Sequence, residues 1–262
     1  MIQALHPGDL PAAIALLGRV GLPSGAANLA RYLRWQPDGA WGMFDDGTLV
    51  GTVTLLRFGR VGFVGCMGIE PAQQGRGLGR VLLQHAQAAA RRAGVTTLLL
   101  EATDSGRWLY EKLGYVAEYE TWIVSRTQVS PSDPVPVSRE RSAILDLDQR
   151  ATGTPRDTMI GSLVDDHLGG VERTTARVGD GRGVGDRHGP VIASDPGAGR
   201  ALIDRLAGAS TVGGVPAANE PAMAAFAANG FLLWRRLYRM RLGAPVDANP
   251  GWLWALASSG AG

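Results

Sequence analysis

The chain has 262 residues, 45% hydrophobic and 19% charged, with a net charge of +2 and one cysteine, Cys66. This composition excludes a disordered chain, and one cysteine excludes an internal disulfide. The basic charge is almost wholly arginine, Lys112 being the one lysine; no run is dense enough for nucleic acid, and no apolar stretch reaches the roughly 18 residues of a membrane span.

Residues 1–10 lack the basic and apolar regions of a leader, so a cytoplasmic protein is expected, with neither nucleic acid nor membrane as partner. A helix is expected after Asp9, read as its N-cap, with Pro11 in the first turn and Leu10, Ala13, Ile14, Leu17 and Val20 at helical spacing. Asp45-Asp46-Gly47-Thr48 separates two β-prone runs, 41–44 and 49–56, as a hairpin turn does. A second turn at Gly59-Arg60 leads into a strand over 61–69. After a glycine-rich stretch comes a helix whose Leu78, Val81, Leu82, Ala86, Ala89 and Ala93 form one apolar stripe, ended by Gly94. The pattern then predicts a short buried strand over 97–102, a short helix over 107–113 and a strand over 115–124.

Residues 127–138, rich in proline and serine and without period, read as a linker between a first domain, 1–126, and a second, 139–262. Beyond it, Ile144, Leu147 and Ala151 share a helical face. Thr154-Pro155-Arg156-Asp157 reads as the start of another helix, with Thr154 as N-cap. Strands over 171–178 and 190–193, a helix over 197–207, a strand over 211–215, a helix over 221–228 and a strand over 231–242 follow. The order matches that of the first domain, which reads as mixed α/β, and raises the question of a repeat. The last twenty residues, with Trp252 and Trp254 beside Pro250-Gly251, form an apolar tail that docks across the domains or stays a disordered end.

The glycine-rich stretch carries the chemistry. A strand ends near Ile69 and Pro71 breaks the ladder; Gly75, Gly77 and Gly79 then let the backbone turn sharply and approach a ligand. The first amides of the following helix have no internal partners and sit at its positive end, which suits a phosphate or pyrophosphate. Arg76 and Arg80 add full charge at the same mouth. A nucleotide triphosphatase loop would need Gly-Lys-Ser/Thr, which is absent. A dinucleotide fingerprint counted from Gly75 puts Arg80 where its third glycine belongs, although Glu101 lies about twenty residues on. The third pattern, Gln/Arg-x-x-Gly-x-Gly, is met by Gln74, Gly77 and Gly79.

With that pattern, and with WLYEKLGYV at 108–116 downstream, the sequence resembles the GCN5-related N-acetyltransferase (GNAT) superfamily. The resemblance implies two tandem folds, each a mixed, mostly antiparallel central sheet flanked by helices. It implies acetyl-CoA as co-substrate and no metal. Its pyrophosphate would lie on Gln74, Gly75, Arg76, Gly77, Leu78, Gly79 and Arg80. The strand before the loop would bulge, so that backbone groups of Met67, Gly68 and Ile69 hold the pantetheine arm and acetyl carbonyl; glycines at 65 and 68 agree with a bulge or close approach. An amide of Met67 or Ile69 would face the developing oxyanion. Tyr110 stands where many members carry a tyrosine general acid beside the thiol.

No general base is evident. Glu101, Asp104, Glu118 and Glu120 are candidates by location, each reading first as a solvated or structural carboxylate. Cys66 reads as core rather than nucleophile, and His85 has no role. His167 and His188 have no partners at metal-ligand spacing.

The second domain resembles a degraded copy. Asn219-Glu220-Pro221-Ala222 leads into a segment in which Phe226 stands for Tyr110 and Gly230-Phe231 for Gly114-Tyr115. Asp195-Pro196 and Gly199-Arg200 match Glu70-Pro71 and Gly79-Arg80, but the counterparts of Gln74 and Gly77 are missing. The expected function is acetyl transfer from acetyl-CoA to a small-molecule amine by the first domain, with a non-catalytic second domain forming part of the acceptor cleft. The absent base favours an alternative, a protein that binds acyl-CoA or an acylated ligand without turnover. A monomer with an internal pseudo-dimer, or a homodimer, is expected.

Overall fold

The computed structural model describes residues 1–127, 141–165, 169–172, 175–178, 189–206 and 212–261. The expected linker lies outside them except for Thr127, as do His167 and His188. The chain opens with strand β1 (Ile2–Ala4). Helix α1 (Leu10–Arg19) follows with Asp9 at its N-cap position as expected, but the Asp9 side chain makes no capping bond to it; Asp9 closes a 3-10 turn in which its Oδ2 accepts from the His6 N–H at 2.8 Å. Helix α2 (Pro23–Trp35) packs on α1, and no sequence pattern announces it.

Strands β2 (Ala40–Asp45) and β3 (Thr48–Phe58) form the expected hairpin. Asp46 (φ 45°) and Gly47 (φ 76°) are both left-handed at its tip, the geometry that matches strand twist in a two-residue turn. Then come β4 (Val61–Ile69), α3 (Leu78–Arg92), β5 (Thr97–Ala102), α4 (Asp104–Lys112) and β6 (Val116–Ser125). The Thr103 hydroxyl accepts from the Gly106 N–H at 3.2 Å and starts α4 three residues earlier than hydrophobic spacing suggests.

The second half contributes α5 (Arg141–Thr152), α6 (Asp157–Asp165), β7 (Gly169–Glu172), β8 (Thr175–Val178), β9 (Val191–Ala193), α7 (Pro196–Leu206), β10 (Val212–Pro216), α8 (Glu220–Ala228), β11 (Leu232–Leu242) and β12 (Leu253–Ala255). Helix α6 starts after the expected Thr154 cap. Thr154 Oγ1 is bonded to Thr152 Oγ1 at 3.0 Å, and Arg156 turns into a buried ion pair with Asp148 at 2.5 Å.

The strands make an eight-stranded sheet in the order β1-β2-β3-β4-β5-β11-β6-β10 and a four-stranded one in the order β12-β9-β8-β7. In the larger sheet only the β4–β5 pair is parallel. The halves exchange strands within it. β11 lies between β5 and β6, and β6 lies between β11 and β10. The offset that sets Gly114-Tyr115 against Gly230-Phe231 also sets Thr121 against Leu237, and these two residues face each other in the β6–β11 ladder. The flanking pairs Trp122–Arg236 and Glu120–Tyr238 are interchanged by the same offset. The repeat is therefore built about a pseudo-twofold at Thr121 and Leu237.

One face of the large sheet carries Leu56, Phe63 and Leu99 against Leu16, Leu17, Leu29 and Tyr32 of α1 and α2, in a cluster that α5 and α6 join through Leu147, Ala151, Met159 and Ile160. The opposite face carries Leu55, Val64, Leu98 and Leu100 against Leu82, Leu83 and Ala86 of α3. A third cluster joins Phe226, Phe231 and Trp254 in the second half. The tail docks: Trp254 is 2% exposed, and Arg156 Nη1 donates to the Ala261 carbonyl at 3.2 Å.

A chain truncated after Thr127 would bare both β5 and β6 along the slot β11 fills. Unpaired edges of that length template aggregation, so the truncated chain is expected to be insoluble or to lack a cooperative melt. A soluble monomer with a sharp transition in circular dichroism would show that the exchange is dispensable.

Candidate active site

β4 pairs with β5 from Val61–Thr97 to Val64–Leu100 and no further, although both strands continue. The cause is local. Thr52 faces Gly68 and Thr54 faces Gly65, so Cys66 and Met67 together oppose the one residue between them. Cys66 carries the bulge at φ 47°, unusual for a non-glycine residue. Thr52 Oγ1 donates to the Cys66 carbonyl at 2.8 Å and holds it there. The strand bends away from β5 and opens a V between them.

Pro71–Gln73 makes a 3-10 turn and Gln74 is extended, its Nε2 donating to the Ile69 carbonyl at 3.0 Å. Gly75 (φ 79°) and Gly77 (φ 77°) are left-handed, with nothing within 4 Å of where a Cβ would stand. Backbone conformation, not crowding, demands glycine here; an L side chain there costs about 1–2 kcal/mol. No side chain caps α3 at Gly77, so the amides of Leu78, Gly79 and Arg80 face outward at the positive end of the helix.

V and loop open into one cleft of about 890 Å³. The sequence-predicted residues Met67, Gly68, Ile69, Gln74, Gly75, Gly77, Leu78, Gly79, Arg80 and Tyr110 all line it. Arg76 does not; its Nη1 is bonded to the side chain of Gln73. Tyr110 is 7% exposed and packs edge-on against Tyr115 with ring centroids 5.7 Å apart. Burial raises the pKa of its hydroxyl. It belongs to the cluster on the α3 face of the sheet.

The other face contributes residues that no motif marks: Gly21 and Leu22 between α1 and α2, Arg235 and Leu237 on β11, and Ser259-Gly260 of the tail. Arg235 Nη1 donates to the Gly21 carbonyl at 2.8 Å. Gly260 closes over Gly65, where a Cβ would come within 2.7 Å of the Gly260 carbonyl oxygen. Only tertiary structure brings these residues here, through a strand and a tail from the far half of the chain.

Of the carboxylate candidates, Glu101 and Asp104 line the cleft, whereas Glu118 is paired with Arg241 at 2.7 Å and Glu120 accepts from Trp122 Nε1 at 2.8 Å. Glu101 is one residue past the last β4–β5 pair, with its side chain fully buried. Arg239 Nε bonds its Oε1 at 2.7 Å. Among the described residues no group of His, Cys, Asp or Glu could hold a metal ion, and no helix is long and apolar enough to cross a membrane.

In the second half the corresponding slot is filled. β12 pairs with β9 and reaches β10 through the Leu256 N–H, which donates to the Gly214 carbonyl at 2.8 Å. The Trp254 ring covers Gly199, so closely that any side chain at 199 would collide with it.

Residues 18–115 match the family model described as Acetyltransferase (GNAT) family. The amino-acid acetyltransferase of Neisseria meningitidis serogroup A is 29% identical over 114 residues, a match that takes in 42% of this chain and 26% of that protein's length. Among solved structures, a Pyrococcus horikoshii protein assigned as an acetyltransferase superposes with a TM-score of 0.84 at 20% identity, over 100% of this chain and 95% of its own. A GCN5-related N-acetyltransferase from Sphaerobacter thermophilus does so with a TM-score of 0.67 at 18% identity, over 95% and 98%. At such identities these two likenesses show the fold, and they show it across both halves.

Burial pushes the Cys66 thiol up to about 12, with a Thr54 hydrogen bond opposing. At pH 8 the thiolate fraction is then about one in ten thousand, and only the thiolate reacts. Iodoacetamide at pH 8 should leave the native chain unmodified and label it fully in denaturant; rapid native labelling would show that Cys66 is accessible.

Proposed function

We propose that the GNAT domain matched over residues 18–115 makes this chain an acetyl-CoA-dependent N-acetyltransferase acting on a small-molecule amine. The observation that carries the reading is the continuity of the uncapped α3 amides with the V between β4 and β5 in a single cleft. The amides of Leu78, Gly79 and Arg80 would take the pyrophosphate, with the Arg80 guanidinium beside them and left-handed Gly75 and Gly77 turning the chain around it. Beyond Val64, the edge of β4 facing the V pairs with no strand among the described residues. Met67, Gly68 and Ile69 would offer their backbone groups there to the amides of the pantetheine arm and to the acetyl carbonyl. Arg76, bonded to Gln73, would serve only as long-range positive charge.

Tyr110 would protonate the departing thiolate. Its raised pKa keeps the proton on oxygen at neutral pH, the form a general acid needs. Acceptors would enter from the α1–α2 face, past Leu22, Arg235 and Gly260. The relative named as an amino-acid acetyltransferase makes amino acids the first acceptors to try.

The domains would be unequal. In the second half β12 and Trp254 lie where the acyl carrier would sit, and Phe226 lacks a hydroxyl. Residues 139–262 would not turn over acetyl-CoA but would supply β11 and the tail to the catalytic cleft, in a monomer whose pseudo-twofold is internal.

Titration calorimetry with acetyl-CoA should give one site per chain. No binding would overturn the assignment, and two sites would overturn the filled slot. Gly77→Val should weaken binding by about tenfold or more, the left-handed strain being about 1–2 kcal/mol before any loss of amide contacts. Thiol release with a panel of amino acids and alkylamines should detect transfer. Tyr110→Phe should lower kcat by about 100-fold, a loss of general-acid size; unchanged turnover across pH would remove the tyrosine from the mechanism.

A further inference from the structure

A guanidinium on the wall of the cleft lacks a counter-charge. The β5–β11 ladder ends at the Ala102–Tyr238 pair, so residues 235–237 of β11 run past the end of β5, at the open end of the V. A register shift between Leu233 and Arg235 makes Trp234 an extra residue in the β6–β11 ladder and sets Arg235 opposite Ile123. Bulges of this kind re-aim side chains. By strand alternation Arg235 shares the α1–α2 face with Leu237 and Arg239, while Trp234 stands half exposed.

Arg235 is half-buried. Its Nη1 donates to the Gly21 carbonyl at 2.8 Å, and its Cζ lies 5.1 Å from the centroid of the Trp234 ring. Among the described residues no carboxylate pairs with it, and its Nε and Nη2 hydrogens have no acceptor. Arg156 and Arg239, both more deeply buried, each have a carboxylate within 2.7 Å. Of the carboxylates in the cleft lining, Glu101 is sealed against Arg239, and Asp104 lies in the first turn of α4. Neighbours place Arg235 at the acyl end of the cleft. A Cβ on Gly68 would stand 2.9 Å from Val20, next to Gly21, and a Cβ on Gly25 would stand 3.1 Å from Cys66 Sγ. The wall that Arg235 is tied to therefore faces the bulge, not the glycine loop.

We infer that Arg235, delivered by the exchanged strand β11, selects the acceptor by pairing with a carboxylate on it. The substrate class is an amine that also carries a carboxylate, as an amino acid does. The inference deepens the acetyltransferase reading and rests on it. With Nη1 held by Gly21, the Nε and Nη2 edge of the fork is left, and its two parallel donors match the two oxygens of one carboxylate. Leu22, Ile123 and Leu237 line the cleft around it and lower the local dielectric, which strengthens the pair. The Gly21 bond holds the guanidinium in place before the acceptor arrives, so little side-chain freedom is lost on binding. The same charge repels a second ammonium group, so diamines and polyamines are poor acceptors.

The test measures thiol release with the common L-amino acids, their carboxamides and the amines left by their decarboxylation, together with calorimetry of acetyl-CoA. The wild-type chain should use acids with a kcat/KM at least about tenfold above the matched amides and amines, the size of one charge-assisted pair. The amine of a carboxamide is less basic and more of it is free at neutral pH, so reactivity alone would favour the amide over the acid. R235Q should raise KM for the acids by about 10- to 100-fold with little change in kcat, and leave the uncharged sets and acetyl-CoA affinity within about twofold. R235K keeps a charge and a donor for Gly21 but not the fork. It should fall between wild type and R235Q on the acids alone, and it carries the comparison if R235Q does not fold by circular dichroism. Amides and amines used as readily as acids overturn the inference, as does a variant that depresses all three sets alike. Loss of acetyl-CoA affinity in R235Q or R235K overturns it by assigning Arg235 to the acyl carrier, and so does a wild-type chain that binds acetyl-CoA yet transfers to no acid. Failure of the wild-type chain to bind acetyl-CoA overturns the underlying reading instead.

Discussion

The parting of β4 from β5 beyond Val64 and Leu100 is the constraint on which the cleft depends. A parallel pair kept in register to its end would have satisfied its backbone groups internally and left no opening. Two residues set against one at Cys66 and Met67 turn the strand outward, and the Thr52 hydrogen bond to the Cys66 carbonyl fixes the turn. The same bend carries Ile69 toward the glycine loop, where Gln74 ties back to its carbonyl. Bulge, V and helix terminus are thus successive consequences of one extra residue in one strand.

A sheet opened at one edge must be held rigid at the other, and the exchanged strands do this. β5 loses β4 after Leu100 but keeps β11 through Tyr238 at Ala102. Within that ladder Arg239 stands opposite Glu101, and its side chain bonds the carboxylate and lies over Phe63 and Tyr119, at 5.1 and 5.5 Å from the ring centroids. Breaking such a buried pair by removing one partner costs about 3–5 kcal/mol, so the wall of the cleft and the stability of the exchange are coupled. The second half is therefore part of the first half's site in a covalent sense, whatever its own capacity for ligands.

Much of this was legible in the sequence wherever it is local. Strands 61–69 and 97–102 read to the residue, because continuous apolar runs bounded by turn residues have few other solutions. The sharp turn of the glycine loop was legible because left-handed backbone at 75 and 77 leaves a compositional mark. Helix α2 did not read; its mean hydropathy is near neutral and its start, Leu22-Pro23, lacks a capping side chain. Arg76 read as added charge at the mouth of the loop, whereas its guanidinium is bonded to Gln73 and does not line the cleft, a local contact that the motif does not reveal. Glu101 stood among four equivalent carboxylates until β11 arrived from far along the chain; its ion-pair partner Arg239 is 138 positions away, which no window of sequence contains. Arg235 and Ser259-Gly260 escaped for the same reason.

The two halves show how little separates an open slot from a filled one. Both keep a β-strand leading to a glycine at a helix start, Gly79 in α3 and Gly199 in α7. Both keep an aromatic pair at the end of the short helix, Tyr110 with Tyr115 and Phe226 with Phe231. In the first half the backbone opened by the V faces a cleft. In the second the chain's own tail meets that need, with Leu256 on Gly214 and Trp254 over Gly199. Having filled one slot, the tail runs on to Ser258, where it meets the Tyr32 hydroxyl, and to Gly260 on the wall of the other. A segment that fills the slot in one copy thereby also lines the cleft of its twin, which gives the repeat a structural reason to retain its fold while its loop and its hydroxyl are lost.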